Sequence, residues 1–169
     1  MLSFEKIDIK KLENAIKVIG DDWMLLTVDD VENKKVNAMT ASWGALGFLW
    51  RKPVCICFVR PERYTYKLLE ESKDFSIAFL GDGMRDAYNI CGRESGRDTD
   101  KLEKCGLTTV DIDGISVIAE ANIALTCRVI YEDDIKENGF LDKSILNNYA
   151  SAGYHKMYIC EIIGAYEKQ

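Results

Sequence analysis

A chain of 169 residues, 47% apolar and 30% charged, can bury one substantial core but hardly two independent ones. Its formal net charge of −6 argues against general nucleic-acid binding, although a local basic pocket could still hold an anion. Residues 1–8 carry early charges without an apolar leader core, and the apolar runs 44–50 and 54–59 are too short to span a bilayer, so a cytoplasmic protein is expected.

In chain order, residues 10–19 set Leu12, Ala15, Ile16 and Ile19 at helical spacing, with Gly20 as a C-cap, and this predicts a helix. Residues 23–28 read as a strand, the polar run 29–35 as a turn, and 36–41 as the returning partner. Residues 54–59 form a continuously apolar strand ended by Pro61. A helix over 65–72 would point Leu68 and Leu69 inward, and 75–80 is another strand. Residues 84–90 and 98–104 predict short helices around a glycine-containing loop. Along 119–131, Ile123, Leu125, Cys127, Val129 and Tyr131 alternate onto one face, as the longest strand of the chain. A helix over 141–148 and a closing strand over 156–166 complete the pattern.

Six or seven strands with short helices between them, and no regular strand–helix–strand alternation, predict a mainly β fold. The expectation is an antiparallel, Greek-key-like barrel with short inserted helices. With no linker and no internal repeat, residues 1–169 should form a single domain.

The six cysteines, Cys55, Cys57, Cys91, Cys105, Cys127 and Cys160, contain no Cys-x-x-Cys pair, and with one histidine no zinc spacing exists. They read as reduced thiols, mostly buried, with Cys55 and Cys57 on one face of a strand. No metal site is expected. A phosphate loop and a dinucleotide fingerprint are both missing, so a nicotinamide cofactor would not be held on a Rossmann domain.

Three segments gather donors suited to an anionic, aromatic ligand. The first is Asn37-Ala38-Met39-Thr40-Ala41-Ser42-Trp43-Gly44, with two hydroxyls beside small residues and an indole. The second is Arg60-Pro61-Glu62-Arg63-Tyr64-Thr65, where Pro61 sets a turn between two guanidiniums able to bind phosphate. The third runs from Cys91-Gly92 to Lys101, with Ser95, Arg97 and Lys101 as anion donors in a glycine-freed loop.

These segments, in this order and with the strand Phe75-Ser76-Ile77-Ala78-Phe79-Leu80, resemble the flavin reductase-like family of FMN-binding split barrels, especially its flavoredoxin-like branch. The similarity runs from about residue 16 to residue 166. It implies an antiparallel split barrel, a homodimer, and FMN near the subunit interface. By that resemblance Thr40 and Ser42 would bond the phosphate or ribityl chain, with Arg63, Ser95, Arg97 and Lys101 as phosphate partners. Backbone groups of Met39, Thr40, Ala41, Cys91 and Gly92 would line the isoalloxazine edge, while Trp43 and Phe79 would wall the ring or belong to the core. His155 becomes the candidate catalytic residue of the flavin or nicotinamide pocket, and Cys91 either a redox thiol or a packing residue. The activity implied is an FMN-dependent oxidoreductase fed by NAD(P)H. The rivals are an FMN electron carrier that serves a redox protein partner, and a barrel without ligand.

Overall fold

The structure is a computed structural model and describes residues 3–169. In chain order it contains β1 (Phe4–Ile7), a 3-10 turn (Ile9–Lys11), α1 (Ala15–Lys17), a π turn (Val18–Asp22), β2 (Met24–Asp30) and β3 (Lys35–Ala41). Then come β4 (Gly44–Leu49), β5 (Lys52–Val59), α2 (Tyr64–Ser72), β6 (Asp74–Phe79), α3 (Arg85–Arg93) and α4 (Lys101–Cys105). The hairpin β7 (Thr109–Ile112) and β8 (Ile115–Ile118) follows, then β9 (Ile123–Asp134), 3-10 turns at Glu137–Gly139 and Lys143–Tyr149, and β10 (Lys156–Lys168).

Eight strands make one antiparallel sheet in the order β3-β2-β6-β9-β10-β5-β4, with β1 on the far part of β10. The organising strand is β10. It pairs with β9 along most of its length, while its first half takes β5 (Lys156 opposite Val59) and its last residues take β1 (Tyr166 opposite Lys6). Register shifts at Ile159/Cys160 and Ile162/Gly164 bend it where the partner changes. This change of partner splits the barrel.

Alternation of side chains places a different packing problem on each face. One face carries Leu26, Phe75, Ile77, Leu125, Cys55, Cys57 and the fully buried Tyr158, and α2 closes it with Leu68 and Leu69. The other carries Leu25 with the small Ala38, Ala78 and Ala124, and these admit α3, α4 and β8 at close range through Tyr88, Leu102 and Val117. All six cysteines are free thiols, and all but Cys105 are buried.

The antiparallel, mainly β expectation holds. The helix over 10–19 does not form as one piece. Asn14 adopts a left-handed φ of 51° and caps only the three residues of α1, and Gly20 lies inside the π turn instead of ending a helix. Ile16, placed inward by the periodicity, is almost fully exposed. Residues 141–148 make a 3-10 turn over Lys143–Tyr149 instead of an α-helix. Among the described residues ten strands replace the six or seven expected, because β1, β4 and the β7–β8 hairpin join the strands read from the sequence. Finally, α3 extends through Arg93, so Cys91 and Gly92 lie in its last turn and not in a loop.

Candidate functional site

The end of β3 turns into β4 through Ser42 and Trp43 and faces the turn after β5. His155, one residue before β10, closes the space. Together Met39–Trp43, Phe58, Arg60, Arg63 and His155 border a cavity of about 240 Å3. A second hollow of about 200 Å3 opens on the other side of Arg63, bordered by Ser95, Gly96 and Lys101. Arg63 lines both, so the two spaces meet at its guanidinium.

Arg63 is half-buried, and each of its Nη groups makes one bond within the fold. Nη1 donates to the Gly92 carbonyl and Nη2 to the Cys91 carbonyl at 2.9 Å. These are among the last carbonyls of α3, which no residue of the helix can satisfy, and a cation there also opposes the helix dipole. Arg63 therefore ties the end of α3 to the cavity wall. Thr40 is engaged as well: its hydroxyl donates to the Tyr88 carbonyl, further back along α3. Ser42 is half-buried and makes no side-chain hydrogen bond among the described residues.

Lys101 is the unusual charge. It is only 4% exposed, and among the described residues its Nζ has no carboxylate partner, only the Cys91 carbonyl at 3.5 Å. Burial, reinforced by the nearby Arg63 cation, lowers its pKa to about 8. Lys101 shares this hollow with Arg63 and Arg93. Glu62 and Glu94 border it too, but Glu94 pairs with Lys104 and Glu62 accepts the Gly153 N–H. An anionic ligand would therefore give Lys101 the direct partner it lacks among the described residues.

The wall around His155 is aromatic. Its ring centroid lies 5.1 Å from that of Trp43 and 5.6 Å from that of Tyr149, and Nδ1 is 3.2 Å from the Tyr149 hydroxyl. Burial first, then the Arg60 charge, lower its pKa to about 4 against the opposing pull of Glu62, so it is neutral near pH 7.

The family model of the flavin reductase like domain matches residues 20–169. The chain belongs to the flavin reductase-like family. An uncharacterized protein of Aeropyrum pernix is 31% identical over 123 residues, 71% of this chain but 44% of that protein, so the chain spans less than half of the relative's length. Among solved structures, an FMN-binding domain of a flavin reductases-like enzyme from Shewanella baltica superimposes with a TM-score of 0.70 at 18% identity, over 98% of this chain and 77% of that one. Flavoredoxin from Methanosarcina acetivorans superimposes with a TM-score of 0.67 at 24% identity, over 96% of this chain and 75% of that one. The fold is the FMN-binding split barrel of these flavin reductase-like proteins.

Of the residues singled out in the sequence, the flavin reductase-like fold brings Met39, Thr40, Ala41, Ser42, Trp43, Arg63 and His155 to one cavity, and Ser95 and Lys101 to the adjoining hollow. Gly92 borders a third space beside Thr40 and Ser42. Phe79 is instead packed in the barrel core, opposite Ile123. Arg97 is exposed; it donates to the Glu62 carbonyl and lies over the Tyr64 ring. The Cys91 thiol is wholly buried, and burial pushes its pKa up to about 12, which makes it a poor nucleophile. Phe58 and Arg60 complete the border of the cavity, and Tyr149 stands behind His155 without lining it. Arg60 belongs to the Arg60–Thr65 segment, whereas Phe58 and Tyr149 carry no local signal.

Gly96 shows how tightly the second hollow is built. A Cβ there would fall well inside contact distance of Asn37 Oδ1 and 3.2 Å from the Tyr64 ring. Asn37 is buried, and its amide donates to Thr65 at 2.8 Å, so it cannot swing aside without losing that bond. Gly96→Ala should therefore destabilise the protein by about 1–3 kcal/mol. Equal melting temperatures for the variant and the parent protein would show that the loop relaxes freely.

Proposed function

We propose that the chain is an FMN-binding oxidoreductase that takes electrons from NADH or NADPH and passes them onward. The observation that carries this reading is Lys101, a buried ammonium without a carboxylate, beside Arg63 and next to an aromatic-walled cavity. The donor set fits FMN: a hollow with Lys101, Arg63 and Arg93 against Glu62 and Glu94 keeps a net positive charge for the phosphate, and it meets at Arg63 a cavity bordered by small residues and rings. Lys101 and Ser95 would hold the phosphate, with Arg63 adding positive potential while it keeps the end of α3 in place and Arg97 supporting the loop from outside. The Thr40 hydroxyl proton already lies on the Tyr88 carbonyl, so Thr40 is disposed to accept a bond from a ribityl hydroxyl. Ser42, with a free hydroxyl, can donate.

The backbone of residues 39–41, with the end of α3 at Cys91 and Gly92, would border the ring edge, and Trp43, Phe58 and the neutral His155 would exclude water from its face. When bound, FMN supplies the redox chemistry. The protein's part is to orient the rings and place positive charge nearby.

The likeness to flavoredoxin favours a second reading, an FMN electron carrier without NAD(P)H activity of its own, whose acidic surface would dock a basic redox protein. An anaerobic absorbance titration with FMN, then NADH, then NADPH, separates the readings. Bound flavin bleached by a nucleotide is the expected result. Bound flavin that stays oxidised favours the carrier, and no bound flavin overturns both.

The same reading includes a single domain and a cytoplasmic homodimer. One sheet serves both apolar clusters, which supports the single domain. The exposed Phe48, Leu49, Trp50 and Tyr131 offer apolar surface for a second copy. No helix among the described residues is long and apolar enough to cross a membrane.

A further inference from the structure

The connection from β9 to β10 is a long excursion, residues 135–155, with only two 3-10 turns inside it. Unstructured connections of this length in a compact fold are usually binding loops or lids. Its base is closed by the Ile135 N–H donating to the His155 carbonyl at 3.0 Å. Above that base, the polar ties to the barrel among the described residues converge on one short turn. Arg60 donates from Nη1 to the Gly153 carbonyl at 3.0 Å and from Nη2 to the Asn148 carbonyl at 2.8 Å. Glu62 accepts the Gly153 N–H at 2.7 Å.

The Arg60 guanidinium also lies 5.2 Å from the centroid of the Tyr149 ring. Behind Tyr149, Tyr154 stacks at 4.8 Å and Phe140 at 5.7 Å, so the excursion has a small aromatic core of its own. In front of it stands His155, hydrogen-bonded to Tyr149 and in contact with the Trp43 ring on the cavity wall. One four-residue turn thus holds both sides of the cavity, the end of α3 through Arg63 and the excursion through Arg60 and Glu62. The sequence presents both arginines as guanidiniums able to bind phosphate. In the structure all four Nη groups of Arg60 and Arg63 donate to main-chain carbonyls.

We propose that residues 135–155 form a specificity cap over the open side of the flavin cavity, clamped by Arg60 and Glu62, in which Tyr149 sets how large an electron acceptor can approach. This rests on the FMN reading above. Tyr149 acts as a positioning residue: it holds the His155 ring and packs under the Arg60 guanidinium where the cap meets the barrel. Ferricyanide, a compact one-electron acceptor, passes beside it. A bulky aromatic two-electron acceptor such as 2,6-dichlorophenolindophenol is hindered.

The test uses the full-length chain, its Arg60→Ala variant and its Tyr149→Ala variant. Hydrogen exchange without ligand reads the clamp: amides of 137–154 should exchange at least tenfold faster in Arg60→Ala, with the barrel strands unchanged. FMN titration of the parent protein reads the underlying function. Holoprotein reduced with dithionite is then reoxidised, two ferricyanides or one indophenol per flavin. The ratio of indophenol to ferricyanide rates should rise at least fivefold in Tyr149→Ala, and FMN affinity should stay within threefold of the parent value. Unaltered exchange in Arg60→Ala overturns the clamp. Faster exchange with an unchanged rate ratio overturns the specificity role. Failure of the parent protein to bind FMN overturns the function and the specificity role together, and the exchange experiment still reports separately on the clamp.

Discussion

Replacing Lys101 by Met is expected to weaken FMN binding roughly 30- to 100-fold and, in the same protein, to raise the stability of the ligand-free chain. Loss of one charge-assisted contact to phosphate accounts for the first effect. The second follows from burial. Lys101 titrates at about 8 in the fold against an ordinary 10.5, so between those values the unfolded chain holds more protons than the folded one. Stability must then rise with pH across that window, by about 3 kcal/mol at most on this pKa difference. Below pH 8 the folded protein carries the full cost of an unneutralised buried charge, which Met removes.

Thermal melts at pH 7.5 and 9.5 should show this slope in the parent protein and its loss in Lys101→Met. Bound phosphate should restore the ordinary basicity of Lys101, so FMN affinity should fall as pH rises above 8, by up to tenfold per unit. Unchanged FMN affinity in Lys101→Met would remove this residue from the site.

The burial of Lys101 was invisible in the sequence, where it reads as one cation among several in a charged loop. It follows from Leu102 and Cys91 packing in the same apolar layer, a contact between α3 and α4 that no local pattern announces. The β2–β3, β5 and β6 strands were legible because they are buried on both faces or alternate cleanly, and α2 because Leu68 and Leu69 mark its inner side. The β4–β5 hairpin was missed for a definite reason. Its two-residue loop, Trp50-Arg51, puts both residues at positive φ (50° and 61°) without the glycine or asparagine that usually signals such a turn. The β7–β8 turn did carry that signal, Asp113-Gly114 at 54° and 82°, between strands of only four residues each.

For the site, the small and hydroxyl residues of 39–43 were readable because their chemistry is local. The role of Arg63 was not. A guanidinium in a turn suggests an anion until the neighbouring helix is seen to end on it, and α3 ends there because it runs one turn further than Ile90.

Removing Glu70 should have the largest effect on stability alone. Its Oε1 accepts the hydroxyl of the fully buried Tyr158 at 2.7 Å and its Oε2 pairs with Lys156 at 2.9 Å. Lys156 also pairs with Glu132 at 2.9 Å, and Glu132 with Lys73 at 2.6 Å, so the network joins α2 to β9 and β10. Burial alone would raise the Glu70 pKa and lower that of Lys156. The contacts to Lys156 and Tyr158 instead hold Glu70 below the ordinary 4.5, and Lys156 is held above 10.5.

Glu70→Ala leaves a buried hydroxyl without an acceptor and a shielded ammonium with one carboxylate instead of two, a loss of about 3 kcal/mol. For a chain of this size that lowers the melting temperature by roughly 6–12 °C. Glu70→Gln keeps an acceptor for Tyr158 and should fall between the two. Because the Glu70 pKa is depressed, its contribution is present above about pH 4.5 and is lost as pH falls through the folded value. The melting temperatures of parent and variant should therefore converge in acid. Lys156 is the first residue of β10 and follows His155 directly, so the same network fixes where the histidine enters the cavity. Melts at neutral pH that agree within 2 °C would mean that packing of Tyr158 alone holds that strand in place.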